Sequence, residues 1–272
     1  MTKVVTGTDL AARINMQTAR RLAQLPQPAR LTVLSDGSGP AAAYAQRITG
    51  AGDRLGIAVT LLGYSDRTLV DLAQGDEPVL ALLPLPDGLT RAMLSEAIGA
   101  DRDVEGLHPA HLGQLVLASP TLVPPTAQAA LYLAEALAGT LKGKTVTVVG
   151  ASAVVGCPLT LLLLAAEATV SVAHAATGDL IALTHAADIV ISAAGVPGLI
   201  TAAHIRPGAI IVDVGLTRTD AGLCGDVDIT SVMGKAAART HVPDGVGPVT
   251  TACLMRNVVD LAARKQDPTN RA

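Results

Sequence analysis

The 272-residue sequence contains no phenylalanine, no tryptophan and only three tyrosines, Tyr44, Tyr64 and Tyr132. A core must therefore be built from Ala, Val, Leu and Ile, and any site that stacks a flat ring has three side chains to choose from. Cysteine is nearly absent. Cys157, Cys224 and Cys253 lie far apart without CxxC spacing, which excludes a disulfide framework and fits reduced thiols in a cytoplasmic protein. There is no basic block and the net charge is −3, so nucleic acid is not an expected partner. No apolar run approaches the roughly 20 residues of a membrane helix. The longest, Leu159 to Ala166, is closed off by Pro158 and Glu167. The opening MTKVVTGTDLAARI has no signal-peptide apolar stretch. What is present is apolar bulk, with hydrophobic residues at 50% against 16% charged, which rules out a disordered chain. A chain this long buries roughly 70–75% of its unfolded surface and needs no metal or disulfide to hold a core.

Two patterns alternate. Val- and Ile-rich runs predict strands at 31–35, 58–62, 79–83, 144–149, 168–173, 188–193 and 209–214. Ala- and Leu-rich stretches predict helices at 8–24, 40–55, 89–99, 126–139 and 154–166. Such alternation specifies an α/β chain with parallel sheets and helices on their faces. Continuously apolar strands such as IVIS predict burial on both sides. Three prolines between Ser119 and Pro125 mark the passage from a first α/β domain, residues 1–120, to a second, residues 121–249. An apolar helix over 250–265 is expected to return to the first. The tail KQDPTNRA reads as frayed.

The stretch KGKTVTVVGASAVVGCP is the most informative. A strand ends at Gly150, Gly156 follows six residues later, and a helix begins. Small residues in such a turn let backbone N–H groups approach a phosphate, and the helix N-terminus favours its charge. The spacing G-x-S-x-x-x-G is not the common dinucleotide pattern, and taken alone it also fits an ordinary strand–helix turn. Three more strands follow. One ends before His174, one runs into Ala194-Gly195, and one ends in Gly215. Ligands of such sheets sit at the carboxyl ends of the strands.

These residues carry a specific likeness. LALLPLP (80–86), DVEGLHP (103–109), KGKTVTVVGASAVVGCP (142–158), PGAIIVDVG (207–215), GDVD (225–228) and VPDGVGPVT (242–250) resemble, in order, the motifs of the bifunctional methylenetetrahydrofolate dehydrogenase/methenyltetrahydrofolate cyclohydrolase family. The resemblance covers nearly the whole chain. It implies an N-terminal folate-side α/β domain, a Rossmann-type doubly wound parallel sheet domain and a cleft between them. It also implies a homodimer, a tetrahydrofolate-type small molecule as partner, and NADP or NAD as cofactor. Carried over residue by residue, it assigns Gly150, Ser152, Val155, Gly156, His174, Thr177, Ala194, Gly195 and Gly215 to the cofactor. Tyr44, Leu82, Pro84, Glu105, Gly245 and Pro248 go to the substrate, with Tyr44 and Glu105 as the catalytic pair and no metal.

The departures are as informative. The family pattern S-x-x-Y-x-x-x-K reads Ala41, Tyr44 and Ile48 here. The glutamine of V-Q-L-P-L-P is Leu82, and the second aspartate of D-V-D-G is Glu105. The arginine of G-R-S is Ala151 and the serine of H-S-x-T is Ala175. Hydrolysis of a methenyl bridge needs a group that moves a proton, and isoleucine cannot do that. Hydride transfer needs positioning in a dry cleft and no such relay. The expectation is a dehydrogenase without useful cyclohydrolase activity. Two alternatives stay open: a non-catalytic paralogue with a nucleotide-binding, regulatory or subunit role, and an oxidoreductase acting on a less polar substrate. No selector for the adenosine ribose is visible near His174, so weak discrimination between NAD and NADP is expected. His108 and His111 lack a third ligand partner, and structural roles are expected for both. Cys157 is expected as filler, and Asp213, Asp226 and Asp228 as loop supports. Asp244 has no evident role.

Overall fold

A computed structural model describes residues 1–65, 67–220 and 222–267. The part of the expected frayed tail from residue 268 onward lies outside the described residues. In chain order the elements are β1 (Lys3–Val5), α1 (Thr8–Leu22), β2 (Arg30–Ser35), α2 (Gly39–Leu55), β3 (Ala58–Gly63), α3 (Thr68–Gln74), β4 (Val79–Ala81), α4 (Arg91–Ile98), α5 (Pro109–Val116) and α6 (Pro125–Ala138). There follow β5 (Thr145–Val149), α7 (Gly156–Ala165), β6 (Thr169–Ala173), α8 (Leu180–His185), β7 (Ile189–Ser192), β8 (Ile210–Asp213), β9 (Thr217–Thr219), β10 (Gly222–Cys224), α9 (Ile229–Val232), β11 (Ala238–Thr240) and α10 (Val246–Gln266).

The chain divides into two compact units. One holds Met1–Ala11, Leu115–Ser119 and Pro124–Thr250, and the other holds Ala12–Gln114, Pro120–Val123 and the chain from Thr251 onward. The first contains a six-stranded sheet in the order β1-β11-β8-β7-β5-β6, parallel at every pairing. Chain order reverses between β5 and β7, the point at which doubly wound sheets take their ligand. All four residues of β7 are buried, as the uninterrupted apolar run predicts for a strand covered on both faces. Residues 1–11 depart from the division expected from sequence. Val4 pairs with Arg239, and the Thr2 hydroxyl donates to the Ala236 carbonyl at 2.7 Å. A strand of three residues is too short to show any periodicity, so nothing in the sequence announces it.

The second unit is built on the parallel sheet β3-β2-β4. Its core joins Leu31, Val33, Ile48, Leu80, Leu82 and Val104 with Leu254, Met255 and Val258 from α10. Asn257 is buried in this unit. Its amide donates to the carbonyls of Val104 at 2.9 Å and Val123 at 3.0 Å, so this inward-facing polar group of α10 is satisfied. Local signals set the helix ends. Thr90 accepts the Met93 N–H to start α4, Asp179 accepts that of Ala182 to start α8, and Gly56 in the left-handed region ends α2.

Candidate functional site

In the first unit the residues expected to hold a dinucleotide gather at the carboxyl ends of neighbouring strands. Gly150 follows β5 with φ +113°. A Cβ there would strike the Ala193 carbonyl, and one on Gly156 would strike the Gly150 carbonyl. Only glycine lets the chain fold back so closely before α7 begins. Ser152 lies exposed in this turn, and its hydroxyl accepts the Val155 N–H at 3.2 Å. Short backbone returns at a helix N-terminus suit the turn to an anion such as a pyrophosphate, with the Val155 and Cys157 N–H groups already engaged by Ser152. Cys157 is exposed, and its thiol donates to the Ala151 carbonyl at 3.2 Å.

After β6 the chain makes a self-contained turn. The His174 N–H donates to the Thr177 hydroxyl at 3.0 Å, and His174 Nδ1 accepts the Ala176 N–H at 3.1 Å. That second bond places the proton of a neutral ring on Nε2. Ala194 and Gly195 follow β7, and both of their N–H groups reach the Asp226 carboxylate. Gly215 follows β8, and a Cβ there would collide with Asp226. Gly245 is pressed against the His241 carbonyl, and Pro248 lies in the first turns of α10. Asp244 is exposed, 3.6 Å from His241 Nδ1.

In the second unit, Tyr44 sits on α2 and packs, half-buried, against the apolar core. Burial and the neighbouring Glu105 push its hydroxyl up to about 12. Burial also raises the Glu105 carboxyl, to about 7, with Asp103 adding to the rise and Arg91 opposing it. The structure thus brings Tyr44 and Glu105 into one electrostatic neighbourhood. Ile48, at the family lysine position, is fully buried, and Leu82 is 5% exposed in the same cluster. Pro84 is exposed and joined to Leu83 by a cis peptide bond.

Sequence reasoning missed three residues here. The Tyr64 hydroxyl donates to the Leu82 carbonyl at 2.7 Å, and burial with Glu105 pushes it up to about 12. Arg91 opposes the rise at Glu105. Asp103 accepts the N–H groups of Glu105 at 3.0 Å and of His108 at 2.6 Å, setting the loop that carries Glu105. Tyr64 was findable, since it follows the carboxyl end of a predicted strand in a chain with almost no aromatics. His111 is buried, with Nε2 2.8 Å from the Ala100 carbonyl, and its ring meets that of His108 edge-on at 6.4 Å. This is a structural position. Among the described residues no group of three His, Cys, Asp or Glu is placed to hold a metal.

Comparison with known proteins converges on one family. The family profile for the tetrahydrofolate dehydrogenase/cyclohydrolase NAD(P)-binding domain matches residues 124–266. The bifunctional protein FolD of Nocardia farcinica is 42% identical, over 96% of this chain and 97% of that protein. The bifunctional 5,10-methylenetetrahydrofolate dehydrogenase/cyclohydrolase of Thermoplasma acidophilum superposes with a TM-score of 0.89 at 30% identity, covering 96% and 98% of the two chains. The Trypanosoma brucei enzyme, solved with NADP and an inhibitor, also superposes at 0.89, with 29% identity and coverage of 100% and 99%. Matching motifs, matching topology and identity along nearly the full length place this chain in the tetrahydrofolate dehydrogenase/cyclohydrolase family.

Proposed function

We propose that this protein is an NAD(P)-dependent methylenetetrahydrofolate dehydrogenase that has lost its cyclohydrolase. The observation that carries this reading is the paired burial of Ile48 and Leu82 in one apolar cluster. A group that activates water must meet solvent or substrate and change protonation, and neither side chain does so. The same burial weighs against a less polar substrate, because the replaced positions are withdrawn into the core and do not form an apolar binding wall. Against a purely non-catalytic role stand the glycine cradle, the retained Tyr44 and an acid, Glu105, still present at the family aspartate position.

A bound dinucleotide supplies the hydride acceptor. The turn from Gly150 to Gly156 would hold its pyrophosphate, His174 and Thr177 would face its adenosine ribose, and Ala194, Gly195 and Gly215 would hold its nicotinamide half. Tyr44 covers the pterin ring, and Glu105 in its ionised form accepts the ring's N–H donors. These two residues orient the pterin that carries the one-carbon bridge. Neither an acid nor a cation in the 174–177 turn selects at the ribose, which supports weak discrimination between NAD and NADP.

The expected assembly is a homodimer, as in the family resemblance. Three free thiols, at Cys157, Cys224 and Cys253, support a reducing, cytoplasmic location. Among the described residues no helix is long and apolar enough to cross a membrane. The test is to supply methenyltetrahydrofolate alone. Its disappearance should run no faster than in buffer, and enzyme-dependent hydrolysis would refute the proposed loss.

A further inference from the structure

We propose that Asp226 is a positioning residue for the nicotinamide half of the cofactor, an inference that rests on the dinucleotide reading above. Asp226 is fully buried. Its Oδ2 accepts three hydrogen bonds: from the Ser192 hydroxyl at 2.9 Å, the Ala194 N–H at 2.8 Å and the Gly195 N–H at 3.2 Å. One carboxylate oxygen therefore fixes the end of β7 and the first two residues of the loop after it. The other oxygen, Oδ1, is buried with no hydrogen-bond partner among the described residues. It lies directly against Gly215 after β8, where any Cβ would collide with it. The same carboxylate thus sets both strand ends of the second half of the sheet, the half that takes the second mononucleotide in a doubly wound fold.

The carboxylate is itself held in place. Asp213 at the end of β8 accepts the Asp226 N–H at 3.0 Å and the Val227 N–H at 3.1 Å, and it receives Gly225 in a contact that no Cβ would allow. Arg239 on β11 is buried beside Asp213. Leaving a buried acceptor such as Oδ1 unpaired costs free energy. A geometry that tolerates this and excludes a side chain at Gly215 keeps the carboxylate for the loops it shapes. Among the described residues, no group in the turn from Gly150 to Gly156, which takes the pyrophosphate, donates a hydrogen bond to it.

This separation gives a test that a merely structural role would not pass. Dissociation constants of NADP and NAD are measured by calorimetry beside those of ADP-ribose and 2′-phospho-ADP-ribose, which lack the nicotinamide. In Asp226→Asn the dinucleotide constants should rise about tenfold or more, while the fragment constants change less than about twofold. Ser192→Ala, which keeps the carboxylate and removes one donor, should show the same selectivity on a smaller scale. Equal weakening of dinucleotide and fragment in both variants would assign Asp226 a structural role only and overturn the inference, as would unchanged dinucleotide binding. If the wild-type protein bound neither dinucleotides nor fragments, the dinucleotide reading itself would fall.

Discussion

Two side chains, Ile48 and Glu105, carry the proposed split between oxidation and hydrolysis. Ile48 is wholly enclosed among apolar neighbours, so restoring a lysine there buries an ammonium with no partner. Ile48→Lys is expected to lower stability by roughly 3–5 kcal/mol and to restore no hydrolysis, because Leu82 cannot orient the amine. Urea denaturation and methenyltetrahydrofolate turnover measure the two effects. At Glu105, burial lifts the carboxyl to about 7. Between its ordinary value and 7 the folded protein holds a proton that the unfolded chain has lost, so this group's contribution to stability grows as pH falls from 8 to 5. In the proposed role of Glu105 folate is held by the ionised form, so KM for methylenetetrahydrofolate should move the opposite way and drop as pH rises through about 7. Glu105→Gln should flatten that dependence and raise KM about tenfold or more. A KM profile that stays pH-dependent in Glu105→Gln would remove Glu105 from the substrate.

Among elements, the β5–α7 turn and the end of β8 carry the heaviest local constraints. Gly156→Ala forces a Cβ into the Gly150 carbonyl and should weaken dinucleotide binding about tenfold or more, near 1.4 kcal/mol, measured by calorimetry. At the end of β8, burial raises Asp213 to about 6, against the backbone donors of Asp226, Val227 and Gly215. The charged groups facing it are Asp226 and Arg239. Its stability contribution should increase as pH falls from 7 through 6, a component that Asp213→Asn removes from the pH dependence of Tm. Apolar runs of strand length and Ala- and Leu-rich stretches of helical length made β2 to β8 and the helices α1, α2, α4, α6, α7 and α10 legible. The short elements β1, β9 to β11, α3, α5, α8 and α9 were not. Their few residues show no period, and tertiary pairing decides them, as the Thr2 and Val4 contacts of β1 illustrate.

For the whole molecule, the candidate site was legible where it depends on backbone shape and obscure where it depends on side chains meeting at a distance in sequence. Gly150, Gly156, Gly195 and Gly215 announce themselves by residue type after apolar strands. The hydrogen bond from Tyr64 to Leu82 spans 18 positions and that from Ser192 to Asp226 spans 34, and nothing local encodes either. The expected dimer should sediment at about twice the 27.4 kDa chain mass, and a monomer by analytical ultracentrifugation would contradict it. The central claim is that oxidation is kept and hydrolysis lost. It is tested most directly by giving the protein methylenetetrahydrofolate with NADP or NAD and following reduced nicotinamide and methenyltetrahydrofolate together. Both should accumulate in equal amounts, and the methenyl compound should then decay at the rate seen in buffer. Reduced nicotinamide without accumulation of the methenyl compound, or no reduced nicotinamide at all, would contradict it.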